Sequence, residues 1–147
     1  MSVSPIVRLQ PANLAQLEEL LAHNNLPTQD CAEPGQNFYG ILDGDELIAA
    51  GGLEPADDYV LLRSVVVKER CRGSGLARRI TEYLINLAES ESRLAVYLLT
   101  ETAESYFLKL GFTSLLRAEV PTAIAQTRQF TALCPDSASC LVMQLPR

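Results

Sequence analysis

The sequence predicts an α/β domain, a mixed sheet with helices on its faces. Short apolar runs and helical stretches follow each other in the order β-α-β-β-β-α-β-α-β-α-β. The long apolar run Asp58–Val67 is followed by a helical stretch and a second buried run, Leu94–Thr100, the pattern of a parallel βαβ unit. The 147 residues, 48% hydrophobic and 20% charged, suffice to bury one core, so a single domain over 1–147 is expected. No repeat, linker or low-complexity tract interrupts them.

The elements follow in order. "IVRL" (Ile6–Leu9) is a short strand. "PANLAQLEELLAHNN" is an amphipathic helix with Leu14, Leu17, Leu20 and Leu21 on one face, stopping near Asn25 before Pro27. Residues 28–36 are loop. "NFYGILD" and "ELIAAGGLE" form a hairpin around the Gly44–Asp45 turn. "DYVLLRSVVV" is the long strand, and a helix runs from about Gly75 to Glu89. After the strand "LAVYLLT", the helix "ETAESYFLKL" ends at Gly111. "FTSLLRA" reads as a strand, "PTAIAQTRQF" as a short helix opened by Pro121, and "CLVMQL" as the last strand.

Charge narrows the function classes. The net charge is −6 and the pI near 4.8, which argues against general nucleic-acid binding. No apolar run approaches the roughly 20 residues of a bilayer span. The start, "MSVSPIVRLQPAN", lacks the basic and apolar regions of a secretory signal, so a cytoplasmic protein is expected. Cys31, Cys71, Cys134 and Cys140 form no CxxC pair; reduced thiols and no metal site are expected. Yet six of the twelve bases lie between Arg63 and Arg79, against one acid, Glu69. Such an island fits either a small anionic ligand or a solvated helix start.

"VVVKERCRGSGLARRITEYL" (Val65–Leu84) holds that island. Gly73 and Gly75 allow a tight turn, and the helix beyond presents unpaired N–H groups and the positive end of its dipole. With Arg72, Arg78 and Arg79 this makes a phosphate cradle. It is neither GxxxxGK[ST] nor GxGxxG, because position 78 is arginine. Glycine spacing alone equally suits a loop that merely closes a strand–helix turn.

"RGSGLA" also fits [QR]-x-x-G-x-[GA] through Arg72, Gly75 and Ala77. It follows "LLRSVVV" and precedes "YFLKLGF". Together these resemble the GNAT family of N-acetyltransferases over nearly the whole chain. The resemblance implies the GNAT fold, a mixed, mostly antiparallel sheet whose central strand pair splays apart, flanked by helices. It implies acetyl-CoA as cosubstrate, its pyrophosphate on the backbone of Arg72, Gly73, Ser74, Gly75, Leu76 and Ala77. The pantetheine arm would pair like an added strand with Val65, Val66 and Val67, which uses main-chain groups and tolerates plain valines.

An amine attacking a thioester must arrive neutral, and the resulting oxyanion needs a donor. The resemblance implies a backbone N–H near Val66 for that donor. Glu54, in "GGLEP", is the candidate base through water, or else an exposed acid beside a proline turn. Asp57 and Asp58 are weaker candidates, and His23 reads as a helix-end residue. The family commonly places tyrosine five residues before the last aromatic of this motif, as acid for the leaving thiolate. Here that position is Phe107, and Tyr106 points about 100° away on a helix. A CoA-binding module without catalysis therefore stays open.

"LLRAEVPTAIAQTRQFTALCPDSASCLVMQL" resembles the tail of arsenic-resistance-associated acetyltransferases, and similar "LCP" tails occur in amino-acid acetyltransferases. Both imply a small-molecule amine as acceptor; no nucleic-acid or membrane partner is expected from the charge and hydropathy above, and either a monomer or a homodimer is expected. Arg63 is unusual inside an apolar strand, and alternation would put it and Ser64 on opposite sides. A buried arginine needs a partner, here an internal acid or an anion on the acceptor. Arg117, in "LLRAEVP", is a second substrate-binding candidate.

Overall fold

The computed structural model describes residues Ser4–Pro146. In chain order it forms β1 (Ile6–Arg8), α1 (Leu14–His23), β2 (Asn37–Asp43), β3 (Glu46–Ala56) and β4 (Tyr59–Val67). Then come α2 (Leu76–Ser90), β5 (Ala95–Thr100), α3 (Glu104–Lys109), β6 (Thr113–Ser114), α4 (Thr122–Ala125) and β7 (Ser139–Gln144). The result is the expected mixed, mostly antiparallel seven-stranded sheet with flanking helices. The chain divides into two compact units, Met1–Glu54 with Arg63–Asn86, and Pro55–Leu62 with Leu87–Arg147.

In the first unit the strands run β1-β2-β3-β4. β1 lies antiparallel to β2, with Ile6 opposite Ile41, and β2 to β3 through a turn in which Gly44 has φ +62°. Leu17, Leu20 and Leu21 of α1 pack with Phe38, Leu47, Ala50 and Val66, which is the face that the leucine spacing predicts. The helix ends at His23, and Asn25 takes the left-handed conformation, φ +59°. Two glycines make room on opposite faces of β3. A Cβ on Gly51 would sit 2.6 Å from Ile80 Cγ2 of α2, and one on Gly52 would sit 2.7 Å from the Phe38 ring.

In the second unit the order is β4-β5-β7-β6. Tyr59–Leu61 pair in parallel with Ala95–Tyr97, which completes the βαβ unit. β5 and β7 are antiparallel over six pairs, Ala95 with Gln144 to Thr100 with Ser139. Ala56, Leu61, Tyr97, Ile124 and Val142 form the core, and the Tyr59 and Tyr97 rings meet edge to face at 5.7 Å.

Two expectations fail here. The strand read over "FTSLLRA" is only Thr113–Ser114, extended by one bond from Leu115 N–H to Cys140 O (3.1 Å). A 3-10 turn, Arg117–Glu119, follows, stapled where Glu119 accepts the Leu116 N–H at 2.9 Å. The helix read over "PTAIAQTRQF" is only the one-turn α4, followed by a separate π-turn, Gln129–Leu133.

Candidate functional site

The junction between β4 and α2 is a chain of tight turns. Cys71 N–H donates to Lys68 O (2.8 Å) and Arg72 N–H to Glu69 O (3.2 Å), closing a 3-10 turn. Gly73 and Gly75 then take φ +83° and +82°, which L side chains rarely adopt. A Cβ on either would meet nothing within 4 Å, so the space over the loop is open. Ser74 Oγ donates to Cys71 O (2.5 Å), and Arg79 N–H to Gly75 O (3.0 Å). α2 is 15 residues long, and helix geometry leaves its first-turn amides without intrahelical acceptors at this loop. The loop thus offers backbone donors and a helix dipole to an anion.

Two of the three arginines have partners of their own. Arg72 donates through Nη2 to Asn24 Oδ1 and through Nε to Val67 O (3.3 Å), so its charge turns toward the end of α1. Arg79 Nη2 donates to Ser4 O (2.9 Å). Arg78 is exposed beside the loop.

Val65, Val66 and Val67 close β4. Among the described residues the ladder with β5 covers only Tyr59–Leu61, so the valines have no strand partner on that side. On the β3 side, Lys68 N–H donates to Ile48 O (2.8 Å). Ser64 has φ +58°, a left-handed residue inside a strand. It breaks the alternation, so Arg63 and Ser64 meet instead of facing apart, Nε donating to Oγ at 3.0 Å.

Arg63 answers the choice left open by the sequence. Its side chain is 1% exposed and forms a two-pronged pair with Asp30, itself 0% exposed, Nη2 donating to Oδ1 at 2.7 Å and Nη1 to Oδ2. Nη1 also donates to Gln36 Oε1 (2.8 Å), and the guanidinium lies 5.4 Å over the Phe38 ring. Internal groups take up the fork, the first of the two partners that the sequence left open. Arg117 is likewise engaged, Nη1 donating to Pro135 O (2.7 Å) and Nη2 to Phe130 O (2.9 Å), over the Phe130 ring. It braces the segment before β7.

Glu54 stands near the end of β3 with Oε1 buried and, among the described residues, without a hydrogen-bond partner. Burying a carboxylate oxygen without a partner is costly, and such cost is common where a group acts on a ligand. Asp57 and Asp58 are exposed in the turn after β3. Phe107 is buried against Tyr106 and Phe112, its ring 5.3 and 5.7 Å from theirs. His23 is exposed at the end of α1, 4.0 Å from Glu19. The four cysteines form no disulfide, and Cys134 Sγ donates to Gln129 Oε1 at 3.0 Å. Burial pushes the Cys31 and Cys140 thiols up to about 11. Among the described residues no group of three or more His, Cys, Asp or Glu could hold a metal ion. Nor is any helix there long and apolar enough to cross a membrane.

Sequence reasoning missed Asp30, Ser64 and the Gly51–Gly52 pair. Only the glycine doublet inside a strand carried a local signal, since glycine there marks close approach of another group.

Residues 8–112 match the model of the acetyltransferase (GNAT) family. A [citrate [pro-3S]-lyase] ligase of Escherichia coli (strain K12) is 28% identical over 111 residues. That match takes in 75% of this chain, and the chain spans 30% of the length of that relative. A GNAT-family acetyltransferase structure from Staphylococcus aureus Mu50 superposes with TM-score 0.80 at 14% identity, covering 97% of this chain and 99% of that one. Rv2747 from Mycobacterium tuberculosis, solved in complex with CoA, gives 0.79 at 18% identity, with 96% and 99% covered.

Proposed function

The chain belongs to the acetyltransferase (GNAT) family, and from that premise we propose that it moves an acetyl group from acetyl-CoA to the amine of a small molecule. The observation that carries the proposal is the Gly73–Gly75 loop, two left-handed glycines with open space above them at the start of a 15-residue helix. A diphosphate is placed over these glycines, where an added Cβ would meet nothing, and the amides that follow Arg72, whose own N–H is held by Glu69 O, donate to it. The unpaired side of Val65–Val67 receives the pantetheine arm as an added strand. The CoA in the Rv2747 structure supports this choice of donor.

The remaining roles follow from the chemistry. The Val66 region presents a backbone N–H to the oxyanion. Glu54 Oε1 accepts the amine's proton through a water, and its buried, unpaired state supports that role. No dedicated acid is needed, because the CoA thiolate is a good leaving group, and the sequence position where the family commonly has tyrosine holds Phe107. The acceptor is a small amine, amino-acid-like by the likeness of the tail. The arsenic-associated subgroup rests on that likeness alone. Arg63 and Arg117 are assigned to internal bracing.

Thiol release from acetyl-CoA across a panel of amino acids, polyamines and aminoglycosides tests the proposal. Amine-dependent release supports transfer. CoA binding with no release for any amine favours a non-catalytic CoA-binding module.

A further inference from the structure

The Asn24–Gln36 segment joins α1 to β2 with turns only. Two side-chain clusters fasten it to the run that carries the candidate donor site. At one end Asn24 accepts from Arg72 Nη2 and donates through Nδ2 to Leu20 O (2.9 Å). At the other, Asp30 and Gln36 take the Arg63 guanidinium, whose Nε holds Ser64 Oγ. Arg63 and Arg72 bracket Val65–Val67, so the two clusters flank the strand segment that faces the donor. Ser64 needs such a hold, because its φ of +58° is one that serine seldom adopts inside a strand. A buried ion pair is a poor source of net stability compared with an apolar pair of equal volume. What this one supplies is direction, since one planar fork fixes Asp30, Gln36 and Ser64 relative to each other.

We propose that Asp30 is a positioning residue for the acyl donor. Through Arg63 it holds Ser64 in the left-handed turn that aims the Val65–Val67 backbone, while Asn24 and Arg72 secure the far end. The inference deepens the donor reading of this strand and rests on it.

The test uses the full chain with Asp30→Leu and Arg63→Met combined, which removes both charges and leaves neither unpaired. Three quantities are read: melting temperature, amide exchange of Lys68 with the chemical shifts of Ser64–Val67, and CoA affinity by calorimetry. The expected result is a near-unchanged melting temperature, exchange at least about tenfold faster at Lys68, and a CoA Kd raised about tenfold. Asp30→Asn keeps one acceptor oxygen, should shift Kd about threefold, and serves if the double variant does not fold. Folded variants with unchanged exchange and unchanged Kd overturn the proposal, as does faster exchange with an unchanged Kd. If the wild type binds no CoA, the donor reading fails by itself, and the exchange data still decide whether Asp30 orders the strand.

Discussion

Gly51→Ala should weaken the contact between α2 and β3. The added methyl would lie 2.6 Å from Ile80 Cγ2, 3.0 Å from Leu84 Cδ1 and 3.6 Å from Val65 Cγ2. Ile80 and Leu84 are fully buried, and Ile80 Cγ2 sits on a β-branched carbon that cannot swing aside. Normal contact lies near 3.5–4.0 Å, so α2 or β3 must give by about 1 Å at Ile80. Overpacking of this kind costs about 1–3 kcal/mol. Against it stands the gain of about 0.4–1 kcal/mol from a less flexible unfolded chain. At the middle of both ranges the net cost is about 1.3 kcal/mol, or roughly 3–5 °C for a chain of this size. Ile80 lies in the second turn of α2, so the displacement should also reach the Gly73–Gly75 loop and raise the CoA Kd. Thermal unfolding by circular dichroism and calorimetry with CoA measure both. A melting temperature equal to or above that of the wild type would refute the packing argument.

The other predictions concern groups in and near the site. Glu54→Gln should lower kcat/KM by about 10² or more, with the deficit shrinking at high pH as free amine accumulates; equal rates across pH would remove Glu54. Tyr106→Phe should leave kcat within about threefold, and a hundredfold loss with intact CoA binding would make Tyr106 the acid. Cys31 and Cys140, raised to about 11 by burial, should be labelled by thiol reagents near pH 8 more slowly than the partly exposed Cys71, as mass spectrometry of labelled protein would show. The same shift has a pH signature, since the folded chain keeps thiol protons that the unfolded chain loses from about pH 9. Denaturant midpoints should fall as pH rises through about 9 to 11, and Cys140→Ala should lessen that fall.

Hydrophobic periodicity was a sufficient guide to the elements whose backbone is regular. Leucine spacing marked the buried face of α1, and the apolar runs at 58–67 and 94–100 marked the parallel pair. The loop at 72–77 was legible because left-handed turns leave glycines behind. Where side chains override the backbone, the pattern failed. Leu115–Ala118 looked like strand, but beyond Leu115 the backbone turns under the hold of Glu119, and the Arg117 side chain reaches for Phe130 and Pro135. Ser64 carries no local mark of its left-handed turn, because the Arg63 side chain that meets it is held by a tertiary pair with Asp30. Asp30 looked like any loop acid, since its partner lies 33 residues away. Those two residues decided what Arg63 does, so its role could not be read from the strand alone.

The central claim is that an acyl-CoA diphosphate rests on the Gly73–Gly75 loop. Calorimetric titration of CoA into the wild type, Gly75→Ala and Gly75→Glu tests it most directly. Alanine meets no atom within 4 Å and bears only the strain of φ +82°, about 1–2 kcal/mol, so it should cost at most about thirtyfold in affinity. Glutamate adds the same strain plus bulk and a negative charge where the diphosphate must lie. It should abolish binding in a chain whose near-ultraviolet dichroism is unchanged. Binding by folded Gly75→Glu as tight as by Gly75→Ala would contradict the account.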